Sequence, residues 1–150
     1  MKQAMIFEHQ DGAMSFAVNT AVFSLSDSGH FACSMECYQN EEFDFMSNPC
    51  FAIHGLPVEG NLSAGQVFLL GGHKGKLSVG STSVHCYCGE HYTPWNTRLE
   101  VLSADPKSIE LQGSFRMQDP NYYDERAKDT LVHFKATFVR APESELWNPL

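Results

Sequence analysis

The stretch "HFACSMECY", His30 to Tyr38, admits two readings, and the fold turns on the choice. Cys33 and Cys37 stand four apart, the spacing of a single helix face. Phe31, Cys33, Met35 and Cys37 also alternate strictly with His30, Ala32, Ser34 and Glu36. Successive side chains of a strand point to opposite faces, so this alternation describes a strand with one apolar face. It accounts for every residue of the stretch, whereas the helical reading accounts for one pair. The stretch is therefore read as a half-buried strand.

The same period recurs on both sides. "MSFAVNTAVFSLS" (14–26) is long and rich in β-branched and aromatic residues, and Asp11-Gly12 ahead of it is a two-residue hairpin signal joining it to a first strand, "AMIFEH" (4–9). "QVFLL" (66–70), "GGHKG" (71–75) and "KLSVGS" (76–81) predict a second hairpin with a glycine-rich turn. "RLEVLS" and "SIELQGSFRMQ" predict a third, turned by Asp105-Pro106. The last strand is "TLVHFKATFVR" (130–140), where Val132, Phe134, Ala136 and Phe138 share a face and Pro142 follows the end. One short helix is expected near 120–128, with Asp119 as N-cap and Pro120 at its first position. The expected fold is all-β: an antiparallel β-sandwich or barrel of about eight to ten strands with that single crossover helix. No repeat or linker divides the 150 residues, so one globular domain over 1–150 is expected.

Charge is distributed unevenly. The net charge is −8, and Met1 to His73 holds one base, Lys2, against eight acids, while the rest of the chain is nearly neutral. A nucleic-acid surface needs the opposite bias. The longest apolar run is Val67-Phe68-Leu69-Leu70, far short of the roughly 20 residues of a membrane span. The first twelve residues place Glu8, His9 and Asp11 where a signal peptide carries its apolar stretch. Five cysteines, an odd number, do not complete a disulfide framework. Free thiols and a cytoplasmic location are the expectation.

"SVHCYCGEHY" (83–92) raises the question of a metal. Cys86, Cys88 and His91 form a possible zinc trio, with a fourth ligand from Cys50, His54 or His73. Against it, a single pair of cysteines two apart lacks the double-knuckle spacing of zinc modules, and such a pair on a flat strand is wide for one ion. Two core-facing thiols followed by a polar turn is the preferred reading, with zinc kept as an alternative. Cys33 and Cys37, about 13 Å apart along a strand, cannot share an ion. "GGHKGKLS" lacks phosphate-loop spacing, and neither a GxSxG elbow nor an HExxH zinc motif occurs.

"QNEEFDF" (39–45) concentrates acids and aromatics just after the opening stretch. Glu36, Tyr38, Glu41, Glu42, Phe43 and Asp44 are the candidate partner-binding residues. Acids steer a basic partner and aromatics anchor it. With no catalytic constellation in the chain, the leading expectation is a non-catalytic acidic protein that neutralises a basic partner, for example an inhibitor or immunity protein against a toxin such as a nuclease. The alternative is a small-ligand- or zinc-binding β-barrel, which could be an enzyme, with His54, His85, His91 and His133 available as bases or ligands.

Overall fold

A computed structural model describes residues 3–70, 78–79, 82–120 and 125–148. Among the described residues eleven strands form a single sheet. They are β1 (Ala4–His9), β2 (Gly12–Leu25), β3 (His30–Cys37), β4 (Cys50–Pro57), β5 (Val67–Leu70), β6 (Ser78–Val79), β7 (Thr82–Tyr87), β8 (His91–Tyr92), β9 (Trp95–Ala104), β10 (Ser108–Met117) and β11 (Thr130–Arg140). The order across the sheet is β5-β9-β10-β11-β1-β2-β3-β4-β7-β6, with β8 paired to β7. Neighbours are antiparallel apart from one short parallel contact, Val22-Phe23 against Val139-Arg140, where β2 and β11 meet beyond the start of β1.

The sheet curls, because residues far apart across it touch. Phe51 of β4 stacks on Phe115 of β10 with ring centroids 5.1 Å apart, and lies 5.0 Å from Phe134 of β11. Along with Phe7, Phe16, Phe23, Phe31 and Phe138 these rings fill one hydrophobic core. A fully buried Phe contributes about 1.5–3 kcal/mol, so the inward row of aromatics is the principal force holding the curl. The result is a barrel-like shell with β5 and β6 as its two unjoined edges.

The alternation read in the opening stretch is present. Phe31, Cys33, Met35 and Cys37 are buried, and so are Ala32 and Ser34 on the opposite face. That second layer of burial comes from the C-terminal segment. The backbone N–H of Trp147 donates to Ser34 Oγ (3.0 Å), the backbone C=O of Trp147 lies 3.0 Å from His54 Nε2, and Leu146 is buried.

Several expected connections differ. The first hairpin turns on Gln10-Asp11, with His9 opposite Gly12, one residue earlier than Asp11-Gly12. Gly12 takes the positive φ (+122°) that opens β2. The second hairpin does not form: β5 pairs with β9 and β6 with β7, at opposite edges of the sheet. Its glycine-rich turn, 71–75, lies outside the described residues. Among the described residues β5 is an edge strand paired with β9, and its Val67 and Leu69 are exposed. The third hairpin forms as expected, and Asp105 Oδ1 accepts the N–H groups of Lys107 (2.8 Å) and Ser108 (2.9 Å) to close the turn. The crossover helix is not seen in the described part of its span. Residues 125–126 form a turn and 127–129 are irregular, while 121–124 lie outside the described residues. Asp119, the expected cap, has a buried carboxylate that accepts from Thr130 Oγ1 (2.7 Å) and faces His9 Nε2 at 3.1 Å. Among the described residues the helical elements are two 3-10 turns, Glu41–Phe43 and Glu143–Glu145.

Candidate functional site

The acidic segment begins where β3 leaves β2. The N–H of Tyr38 donates to the C=O of Ala17 (2.9 Å), and the chain then swings away from the sheet. Gln39 pins the swing from inside, donating from Nε2 to the C=O of Met46 (2.9 Å) and accepting at Oε1 from the N–H of Asn48 (2.9 Å). Asn40 does two jobs. Its Oδ1 caps the Glu41–Phe43 turn by accepting from the N–H of Glu42 (3.1 Å), and its Nδ2 donates to the C=O of Ser15 (2.9 Å). Met46 is fully buried and Phe43 packs on Phe16 with centroids 5.8 Å apart, so the loop is anchored in the core within its acidic run and just after it.

Anchoring presents the remaining side chains outward. Glu41, Glu42 and Asp44 are exposed, Tyr38 is 54% exposed and Phe45 47% exposed. Tyr38, Gln39, Asn40, Glu41, Glu42 and Phe43 face Ala13, Ser15 and Ala17 of β2 across a depression of about 660 Å³. Four of the six expected residues therefore line one opening. Glu36 and Asp44 are not part of its lining; Glu36 is exposed on β3, where its Oε2 accepts from Thr20 Oγ1 (3.3 Å). Phe45, an aromatic of the same "EEFDF" segment, adds a second exposed ring beside it, 5.9 Å from His9.

The zinc trio is not brought together. Cys86 and Cys88 are buried in the core, whereas His91 pairs with Tyr87 and stacks 5.0 Å from its ring on the outer face. Among the described residues no three His, Cys, Asp or Glu are placed to hold a metal ion. All five cysteines are free. Burial pushes the Cys33, Cys37 and Cys50 thiols up to about 12, and a hydrogen bond with Cys88 together with burial raises Cys86. Such thiols are held protonated, the reverse of what a nucleophile needs.

Of the four histidines considered as ligands or bases, His133 stands apart, paired with Glu8 (2.9 Å). His54, His85 and His91 gather on the outer face of β4, β7 and β8 beside Tyr87 and Trp147. His85 is buried there with no partner at Nε2. Its burial, then His54 and His91, lower its pKa from the usual imidazole value. This grouping follows from cross-strand register and is invisible in the sequence spacing.

Comparison with family models, with curated proteins and with solved structures found no match to this chain. No helix among the described residues is long and apolar enough to cross a membrane.

Proposed function

We propose that this chain is a non-catalytic acidic binding protein that engages a basic protein partner through the surface around Tyr38, Glu41, Glu42, Phe43 and Asp44, with Glu36 at its margin. One observation carries the reading: two exposed aromatic rings, Tyr38 and Phe45, stand among exposed carboxylates on a loop whose conformation is already set by Gln39 and Asn40. A preorganised loop avoids the ordering cost that otherwise weakens association. Aromatics supply desolvated anchors, and the carboxylates accelerate encounter with a positive surface. The concrete form of the proposal is an inhibitor or immunity protein that covers a basic enzyme such as a nuclease. Five free thiols support a reducing, cytoplasmic setting.

The barrel interior gives the small-ligand alternative little support, since it is filled by Phe51, Phe115, Phe134 and their neighbours. The test is a comparison of the wild-type chain with Glu41→Lys/Glu42→Lys/Asp44→Lys as bait for proteins from its own cells. A specific partner is expected to associate about tenfold or more slowly with the variant at low salt, with the thermal midpoint unchanged. Equal association rates for every captured protein would sink the proposal.

A further inference from the structure

β2 has β1 along one side through its first half and β3 along the other through its second. Pairing with β3 starts at Val18, so from Ala13 to Ala17 one side of β2 has no strand partner among the described residues. Strand alternation aims the backbone groups of Ala13, Ser15 and Ala17 toward that side. The contacts agree: the carbonyls of Ala17 and Ser15 accept from Tyr38 N–H and Asn40 Nδ2, whereas the N–H of Val18 goes the other way, to the C=O of Gln3 (3.3 Å). The side-chain amide of Asn40 thus occupies the place of a backbone N–H on a neighbouring strand. The outward side chains of this stretch are small, and the depression opens directly against Ala13, Ser15 and Ala17. An unpaired edge of this kind is a template for strand addition.

We propose that the partner supplies an extended, lysine- or arginine-bearing segment that adds to the sheet along Ala13–Ala17. Its backbone C=O groups accept from the outward N–H groups of Ala13, Ser15 and Ala17, leaving in place the Asn40 contact that sets the loop, and its basic side chains meet Glu41 and Glu42. The inference rests on the acidic-surface reading above and names the form in which the partner binds. Ala13 to Ala17 spans about 13 Å at roughly 3.3 Å per residue, the length of a four- or five-residue strand. Charge selects the occupant: Glu41 and Glu42 flank the opening, so an acidic segment is repelled, and a second copy of this chain, at net −8, is a poor candidate for the same reason.

The test uses the full chain and a blocked heptapeptide of alternating Lys and Val, with an alternating Glu and Val peptide as control. Saturating Lys-Val peptide is expected to slow amide hydrogen exchange at Ala13, Ser15 and Ala17, and the Glu-Val peptide is expected to leave it unchanged. Ser15→Pro and Ala13→Pro each remove an edge N–H while leaving the carboxylates in place, a change edge strands tolerate. Each is expected to weaken the peptide about tenfold. If the proline variants bind like the wild type while Glu41→Lys/Glu42→Lys loses binding, strand addition is overturned and the acidic surface stands. If neither change matters, both ideas fall. Unchanged exchange at the three edge amides under saturating Lys-Val peptide overturns strand addition whatever the proline variants do.

Discussion

Gly113 is the residue on which the inner wall depends most closely. It lies opposite Phe134 in the β10–β11 ladder, and a Cβ at this position would stand 2.5 Å from Phe134 Cζ. Phe51 and Phe138 crowd that ring, with centroids 5.0 Å and 6.3 Å away, so making room for a methyl group disturbs the packed aromatics. Gly113→Ala is therefore expected to destabilise the fold by about 1–3 kcal/mol, the usual cost of overpacking a core. A urea midpoint lowered at constant m-value is the result to look for, and an unchanged midpoint would show that the wall yields. In the sequence Gly113 is only a weak point in a strand. Asp119 shows the same limit from the other direction. Its position before Pro120 fits a helix cap, and its buried carboxylate also meets the Thr130 hydroxyl and the His9 ring, two partners that no local spacing announces. Such partners offset the cost of burying a carboxylate.

At the scale of the element, the C-terminal segment after β11 is what closes the outer face. Pro142 ends the strand register and Glu143–Glu145 turns the chain, so that Leu146 and Trp147 reach back over β3 and β4. Leu146→Ala is expected to cost about 2 kcal/mol, the low end for a buried leucine, and to speed amide exchange in β3 at Ala32 and Ser34. His85 lies under the same cover, between His54 and His91 and beside Tyr87 and Trp147. Its folded pKa is lowered, so the folded chain resists a proton that the unfolded chain accepts near pH 6.5. Its contribution to stability is therefore complete above about pH 6.5 and is lost as the pH falls below that. The urea midpoint followed by tryptophan fluorescence is expected to drop between pH 7 and pH 5, and His85→Leu to flatten that drop. A slope unchanged in His85→Leu would place the titration elsewhere.

Across the whole molecule, Cys33, Cys37, Cys86 and Cys88 share one core, and Cys50 is buried outside that cluster. Cys33, Cys37 and Cys50 are raised to about 12 and Cys86 is raised with them. Raised folded values mean that stability is intact below the unfolded thiol range, near 9, and declines as the pH climbs from there toward 12. Equilibrium unfolding between pH 8 and pH 11 is expected to show a falling midpoint, and Cys33→Ala to remove part of the slope. A flat profile would mean that these thiols ionise as easily folded as unfolded. The charge asymmetry acts on the same scale. Four of the eight acids of the first half, Glu36, Glu41, Glu42 and Asp44, lie on β3 and the loop after it, which gives that surface its sign.

Strand positions were legible because the period-two pattern records burial on a single sheet face. β1 and β11 match the runs "AMIFEH" and "TLVHFKATFVR" end to end. The acidic cluster was legible too, being contiguous in the chain. Partners across the sheet were not, since alternation says which face a side chain takes and nothing about which strand lies beside it. So the pairing of β5 with β9 and the gathering of His54, His85 and His91 emerged only with the tertiary structure, whereas the core-facing Cys86 and Cys88 were already the preferred reading of the sequence. The edge at Ala13–Ala17 belongs with them: a strand is bare only where no other strand has come to cover it, and that is decided by the packing of the whole sheet.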